Sequence, residues 1–213
     1  MKLIEQKCIW MQKPKFPLEI IEKAGRTCYK SEDKITSNSA KKFVNMIVKR
    51  GHESVIEHAF ASVKFITNRG VTHELVRHRL CSFSQESTRY VNYSSNDIQF
   101  IKPVWTDITL GVYNYDSYIP TNWNKVNTIF ILSCLDSESS YKKLLNKGWR
   151  PEQAREVLPN SLKTEIIVTT NLREWKHIFK LRTSKSAHPQ IRELMKECLN
   201  MFKKEVPILF DDI

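Results

Sequence analysis

Apolar residues recur along this chain at two periods. Between residues 17 and 29 they return every three to four positions, with Pro17 at the start and Leu18, Ile21 and Ala24 on one side, which predicts a helix. The stretch SNSAKKFVNMIVKRG repeats that spacing through Phe43, Met46, Ile47 and Arg50, with Ser39 placed to cap the start and Gly51 suited to the end. FASVKFI alternates instead. Ala61, Val63 and Phe65 point one way and Ser62 and Lys64 the other, as in a strand. VTHELVRHRL returns to helical spacing and sets Glu74, Arg77, His78 and Cys81 on one polar face, with Leu75, Val76 and Leu80 opposite. Residues 121–148 read as a long helix through Trp123, Val126, Phe130, Tyr141, Leu144 and Leu145, stopped by Gly148. RPEQAREVLP reads as a short helix bracketed by Pro151 and Pro159. KTEIIVTTN is a second strand, after which Asn171 caps the helix LREWKHIFKLR. A last helix over about 188–205 carries Ile191, Leu194, Met195, Cys198 and Phe202 on its buried face. Many helices and few strands predict an α/β chain of the α+β kind: a small mixed or antiparallel sheet backed by helices, in one domain over 1–213.

Composition narrows the function. The net charge of +11, from 34 Lys and Arg against 23 Asp and Glu, favours anionic partners. Five scattered cysteines without a CxxC pair point to reduced thiols and a cytoplasmic location, not to a disulfide framework or zinc ribbon. No apolar run approaches the roughly 20 residues of a membrane helix, and the N-terminal stretch lacks the apolar core of a signal peptide. The five glycines form neither GxGxxG nor GxxxxGK[ST], which argues against a Rossmann or P-loop nucleotide site.

The densest chemistry lies in RHRLCSFSQESTRY, residues 77–90. Arg77, His78, Arg79 and Arg89 bracket a run of hydroxyls with Glu86 as the one acidic residue. Guanidinium forks beside hydroxyls and amides in a turn make an anion cradle, because charge-assisted bonds to phosphate are about twice as strong as neutral ones. GHESVIEH places His52 and His58 six apart, which does not fit the four-residue spacing of the zinc helix signature. Cys81 would sit at a helix C-terminus, where the dipole disfavours a thiolate, so it reads as a packing residue. In NLREWKHIFKLR, Arg173 and His177 share one face, and Trp175, Ile178, Phe179 and Arg182 another. An arginine on an apolar stripe either snorkels to water or waits for a planar anion. Two other classes remain open at this point. A basic nucleic-acid-binding module would need a continuous basic stripe, whereas these arginines fall in separated segments. A hydrolase built on Cys81 or on a metal would need the histidines to converge.

Taken in order, these segments resemble the flavin-dependent thymidylate synthases. The family hallmark is Arg-His-Arg, seven residues, then Ser-x-Arg, and here Arg77-His78-Arg79 is followed by LCSFSQE and Ser87-Thr88-Arg89. GHESVIEH, EQAREVLP and NLREWKHIFKLR resemble the flanking family segments, and the similarity spans most of residues 17–205. The resemblance implies an enzyme fold outside the Rossmann class and a homotetramer with active sites shared between subunits. FAD reduced by NADPH would supply the hydride, and 5,10-methylenetetrahydrofolate the carbon, to turn dUMP into dTMP without a cysteine nucleophile. Membrane and nucleic-acid polymer are not implied. By position, Ser54, Arg77, His78, Arg79, Gln85, Asn171, Arg173 and His177 match FAD contacts. Glu74, Arg77, Gln85, Glu86, Ser87, Thr88, Arg89, Arg155 and Arg182 match dUMP contacts, with Arg182 also the catalytic residue that stabilises N3-ionised uracil. No metal is implied. Glu74 departs from the Gln of some relatives, and His188 from a Gln, leaving His188 to touch a ligand or cap the last helix.

Overall fold

The computed structural model of the chain describes residues 1–116 and 125–213, and these fall into two compact units. The first comprises Met1–Lys7, Phe65–Leu75 and Ser84–Ile166; the second comprises Cys8–Lys64, Val76–Phe83 and Ile167–Ile213.

In the first unit a three-stranded sheet has β1 (Lys2–Ile4) at its centre, β5 (Gln99–Ile101) parallel on one side and β6 (Gly111–Val112) antiparallel on the other. Leu3 pairs with Phe100 and with Gly111. Its core joins Leu3, Ile98 and Phe100 to Ile131, Leu135 and Tyr141 of the long helix α4 (Lys125–Asn146), with Leu144 and Leu145 packed against it. Of the residues predicted for that helix, Trp123 lies outside the described residues.

The second unit is built on helices. α1 (Pro17–Cys28) packs on α2 (Ser39–Lys49) at Gly25, where an added Cβ would lie 2.5 Å from Phe43 Cε1. Only a residue without a side chain lets the helices approach so closely. Ser39 is the first helical residue, not the cap: its hydroxyl accepts from Thr36 N–H at 2.8 Å and meets Glu22 Oε2 at 2.9 Å. The helices α6 (Leu172–Arg182), α7 (Pro189–Glu205) and α8 (Pro207–Phe210) bring Trp175, Phe179, Phe202 and Phe210 into one buried aromatic cluster, with centroids 5.0 to 5.8 Å apart. His188 caps α7, its Nδ1 accepting from Gln190 N–H at 3.2 Å.

A second sheet has the order β2 (Lys7–Gln12), β3 (Phe60–Asn68), β7 (Lys163–Asn171), β4 (Ser82–Gln85). On β3, Ala61, Val63 and Phe65 are fully buried, and Ser62 on the other face is buried as well. Two sheets thus replace the single one expected. The helix predicted through VTHELVRHRL also stops early: α3 runs from Arg69 to Leu75. Val76 and Leu80 are 42% and 76% exposed, while His78 is buried. The cause is β4, which must pair with β7 a few residues later, so the chain turns before it can extend the helix. The polar face of Glu74, Arg77, His78 and Cys81 therefore does not exist as a helix face.

Candidate functional site

The predicted site residues fall into two clusters, one in each unit. In the first unit the cluster grows from the end of β4. Gln85 donates from Nε2 to the hydroxyls of Thr72 at 2.9 Å and Thr164 at 3.3 Å, which fixes its amide and leaves Oε1 as the acceptor. Glu86 N–H donates to Glu165 O at 2.9 Å, and Arg89 N–H to Ser87 Oγ at 3.3 Å. Of the backbone donors in that loop, those of Ser87 and Thr88 are then left for an anion. The Glu86 carboxylate is taken up internally, accepting from Tyr93 Oη at 2.8 Å and Lys163 Nζ at 3.1 Å. Burial and the Glu86 charge push the Tyr93 phenol well up. Burial would lower Lys163, but Glu165 at 2.7 Å and Glu86 outweigh it and hold the ammonium above its ordinary range.

Arg155 sits in the one-turn extension of α5 (Pro151–Ala154), where its guanidinium donates to Thr88 Oγ1 at 3.3 Å. Both side chains line a cavity of about 330 Å³ together with Arg69, His73, Leu158 and Asn160. Among the described residues, Arg69 Nη1 is buried without a hydrogen-bond partner. A buried guanidinium nitrogen without an acceptor is costly, which marks Arg69 as a side chain the fold has not satisfied internally. Arg69 was missed in the sequence because it stands alone at the start of α3; the signal that finds it is its unpaired nitrogen. Glu74 is half-buried on the same helix, and Arg89 is exposed, its guanidinium 5.5 Å from the Tyr90 ring centre.

The second cluster surrounds the start of α6. Asn171 caps the helix as predicted, Oδ1 accepting from Glu174 N–H at 2.8 Å. A cavity of about 590 Å³ is lined by Glu53, Glu57, Leu80, Asn171, Arg173, Glu174, Lys176, His177 and Lys180. A second of about 320 Å³ shares Glu53 and Arg173 and adds Cys28, Tyr29, His52 and Ser54. Ser54 is exposed in a 3-10 turn over Glu53–His58. His52 Nδ1 is 2.8 Å from Tyr29 Oη, and Arg173 is ion-paired to Glu57 and, at 3.8 Å, to Glu53. Arg77 and Arg79 are exposed and form no ion pair among the described residues. Arg182 lies with this cluster: its Nε donates to His78 Nε2 at 3.1 Å.

His78 is 6% exposed. Burial first, then the charges of Arg182 and His177, lower its pKa to about 4, so the ring is neutral near pH 7. His78, Glu174 and His177 bring one possible ligand atom each within 4.8 Å of one another. Arg182 already uses the His78 Nε2 lone pair, which places the ring proton on Nδ1, the nitrogen a metal would need. The arrangement fits a hydrogen-bonded relay better than a metal centre. Cys81 is not on a helix, so the dipole argument does not apply to it. Burial instead pushes its thiol up to about 11, against a weaker opposing hydrogen bond from Thr170, and this protonated thiol is a poor nucleophile.

Comparison with known proteins identifies the family. The family profile described as Thymidylate synthase complementing protein matches residues 11–208. The flavin-dependent thymidylate synthase of Corynebacterium aurimucosum is 33% identical over 203 residues, which cover 91% of this chain and 78% of that protein. That of Pyrococcus furiosus is 35% identical over 199 residues, covering 89% and 76%. Among solved structures, thymidylate synthase X from Helicobacter pylori, crystallised with FAD and dUMP, gives a TM-score of 0.77 at 23% identity, covering 97% of this chain and 98% of that one. The UMP/dUMP methylase PolB from Streptomyces cacaoi, bound with 5-Br dUMP, gives 0.77 at 22% identity, covering 99% and 96%. The fold is thus the one these structures share, and the chain belongs to the flavin-dependent thymidylate synthase family.

Proposed function

We propose that the cluster in the first unit holds dUMP, that the cluster in the second holds FAD, and that residues 1–213 act as one synthase domain. The observation that carries this reading is the division of basic groups: one set closes on Thr88 and Arg155, the other on His78 and Arg182. The residues present fit both ligands. The nucleotide cavity offers Arg69, Arg155 and the Thr88 hydroxyl to a phosphate, and Arg89 and the Ser87 and Thr88 N–H groups of the adjoining chain would add to them. The adjoining cavities around Arg173 have the volume of a cofactor site. They pair cations for a diphosphate (Arg173, Lys180) with carboxylates for ribose hydroxyls (Glu53, Glu57).

Bound FAD, reduced by NADPH, would supply the hydride in this reaction, and 5,10-methylenetetrahydrofolate would supply the carbon. The chain's own residues bind and orient. Gln85 Oε1 and Glu74 are acceptors for the nucleoside. Arg77, Arg79, Ser54, His177 and the Asn171 amide hold the flavin. A guanidinium cannot act as a base at neutral pH, but in a site shared between subunits Arg182 can stabilise uracil ionised at N3 and so make C5 more nucleophilic. No cysteine takes part, in keeping with the raised Cys81 thiol. In a homotetramer the active sites would draw on more than one subunit, and the free cysteines suit a cytoplasmic setting.

The test separates the two sites. Purified protein is examined for flavin absorbance near 450 nm and for dTMP formation from dUMP. Arg155→Ala is expected to lose dUMP affinity and keep FAD, and Arg173→Ala the reverse. Colourless protein that takes up no FAD, or loss of both ligands in both variants, overturns the assignment.

A further inference from the structure

Glu174 is a buried carboxylate that the proposed binding contacts leave unused. It lies in the first turn of α6, and Arg182 ends the same helix eight residues on, about 12 Å along the axis. The His78 ring stands between them. Glu174 Oε1 faces Nδ1 at 3.6 Å, and Arg182 Nε donates to Nε2 at 3.1 Å. The other titratable ring near His78 is that of His177, edge-on with centroids 5.9 Å apart. A neutral imidazole has one N–H and one lone pair, and a guanidinium can only donate. Nε2 must therefore be the acceptor and Nδ1 the protonated nitrogen. A carboxylate opposite Nδ1 favours that tautomer, as the orienting group of a catalytic histidine does.

We propose that Glu174 is a positioning residue for the synthase reaction: it holds His78 in the Nδ1–H tautomer, so that Nε2 fixes the plane of the Arg182 guanidinium. The inference rests on the reading of Arg182 as the residue that meets uracil. With Nε committed to His78, the imidazole constrains the plane of the guanidinium that meets the substrate. Without Glu174 the ring can adopt the Nε2–H tautomer, which turns a donor toward a donor and removes that hydrogen bond from Arg182.

The test uses the purified flavin-bearing protein, with imidazole ¹⁵N NMR to read the tautomer and steady-state kinetics to read the reaction. Wild type is expected to show His78 as Nδ1–H. Glu174→Ala is expected to shift His78 toward Nε2–H and to lower kcat by about 10- to 100-fold, with FAD content and KM for dUMP little changed, the size expected when a reacting group is misplaced by a fraction of an ångström to an ångström. Glu174→Gln keeps an oxygen acceptor and is expected to preserve both tautomer and turnover. An Nε2–H ring in wild type, full turnover in Glu174→Ala, or equal damage in Glu174→Gln overturns the proposal. Should Glu174→Ala not fold, the wild-type and Glu174→Gln spectra still decide it, since an Nε2–H ring in either contradicts it. Arg182→Ala distinguishes the two readings: retained turnover there removes Arg182 from the chemistry, while the tautomer result stands or falls separately.

Discussion

The buried imidazole of His78 makes the protein's stability depend on pH in a window set by its surroundings. In the unfolded chain the ring takes up a proton as pH falls through 6.5; in the fold it resists until about 4. Burial acts first, because it disfavours the charged ring; the charge of Arg182 follows, its Nε 3.1 Å from Nε2, and then that of His177. A pKa lowered in the fold means that the unfolded state binds the extra proton between these values, so stability is held above pH 6.5 and lost as pH falls toward 4. Moving the ring from 6.5 to about 4 corresponds, at about 1.36 kcal/mol per tenfold, to about 3 kcal/mol. His78→Gln keeps an oxygen that can accept from Arg182 but does not titrate. Urea unfolding of both proteins at pH 7, 6, 5 and 4 then isolates the ring, because every other titrating group is shared. With m of about 3 kcal/mol/M, the wild-type midpoint is expected to fall by about 1 M more than that of His78→Gln across the window. Parallel midpoint curves from pH 7 to 4 would refute the reasoning.

Other substitutions probe single contacts. Arg155→Ala removes a charged donor worth about 1.5–3 kcal/mol, so calorimetry should show dUMP binding weakened by about 10- to 100-fold while deoxyuridine binding stays level; equal losses for both would contradict a phosphate contact. Arg69→Met should weaken dUMP binding in the same phosphate-dependent way and leave flavin content unaltered, as judged by absorbance. Cys81→Ala should turn over within about twofold of wild type, since a thiol pushed up to about 11 supplies little nucleophile; an inactive but flavin-bearing variant would reopen the cysteine reading. Gly25→Ala should lower the melting temperature. The new Cβ would lie 2.5 Å from Phe43 Cε1, and overpacking of about 1–3 kcal/mol exceeds the roughly 1 kcal/mol gained in helix propensity. A rise in melting temperature would show that Phe43 yields freely.

Long periodic segments were readable from residue types alone. In α7, Ile191, Leu194, Met195, Cys198 and Phe202 are all buried as their spacing predicts, and Asn171 caps α6 as expected. The strands β1, β5 and β6 have two or three residues each, too few for alternation to register. The end of α3 was misjudged because helical spacing in VTHELVRHRL is local, whereas the pairing of β4 with β7 joins residues some 80 positions apart. The same limit applies to the chemistry. Motif spacing singled out His78 and Arg182, but nothing in it says that these residues, 104 positions apart, share a hydrogen bond. Nor could it show that the carboxylate of Glu86 is spent on Tyr93 and Lys163.

Arg173 is already in the grip of Glu57 and Glu53. Any incoming polyanion must therefore win it by exchange, evicting one acidic tenant as it settles. Such a trade keeps the guanidinium extended and ready while the pocket waits, and it leaves a freed carboxylate that returns to water at small expense, because Glu57 is exposed.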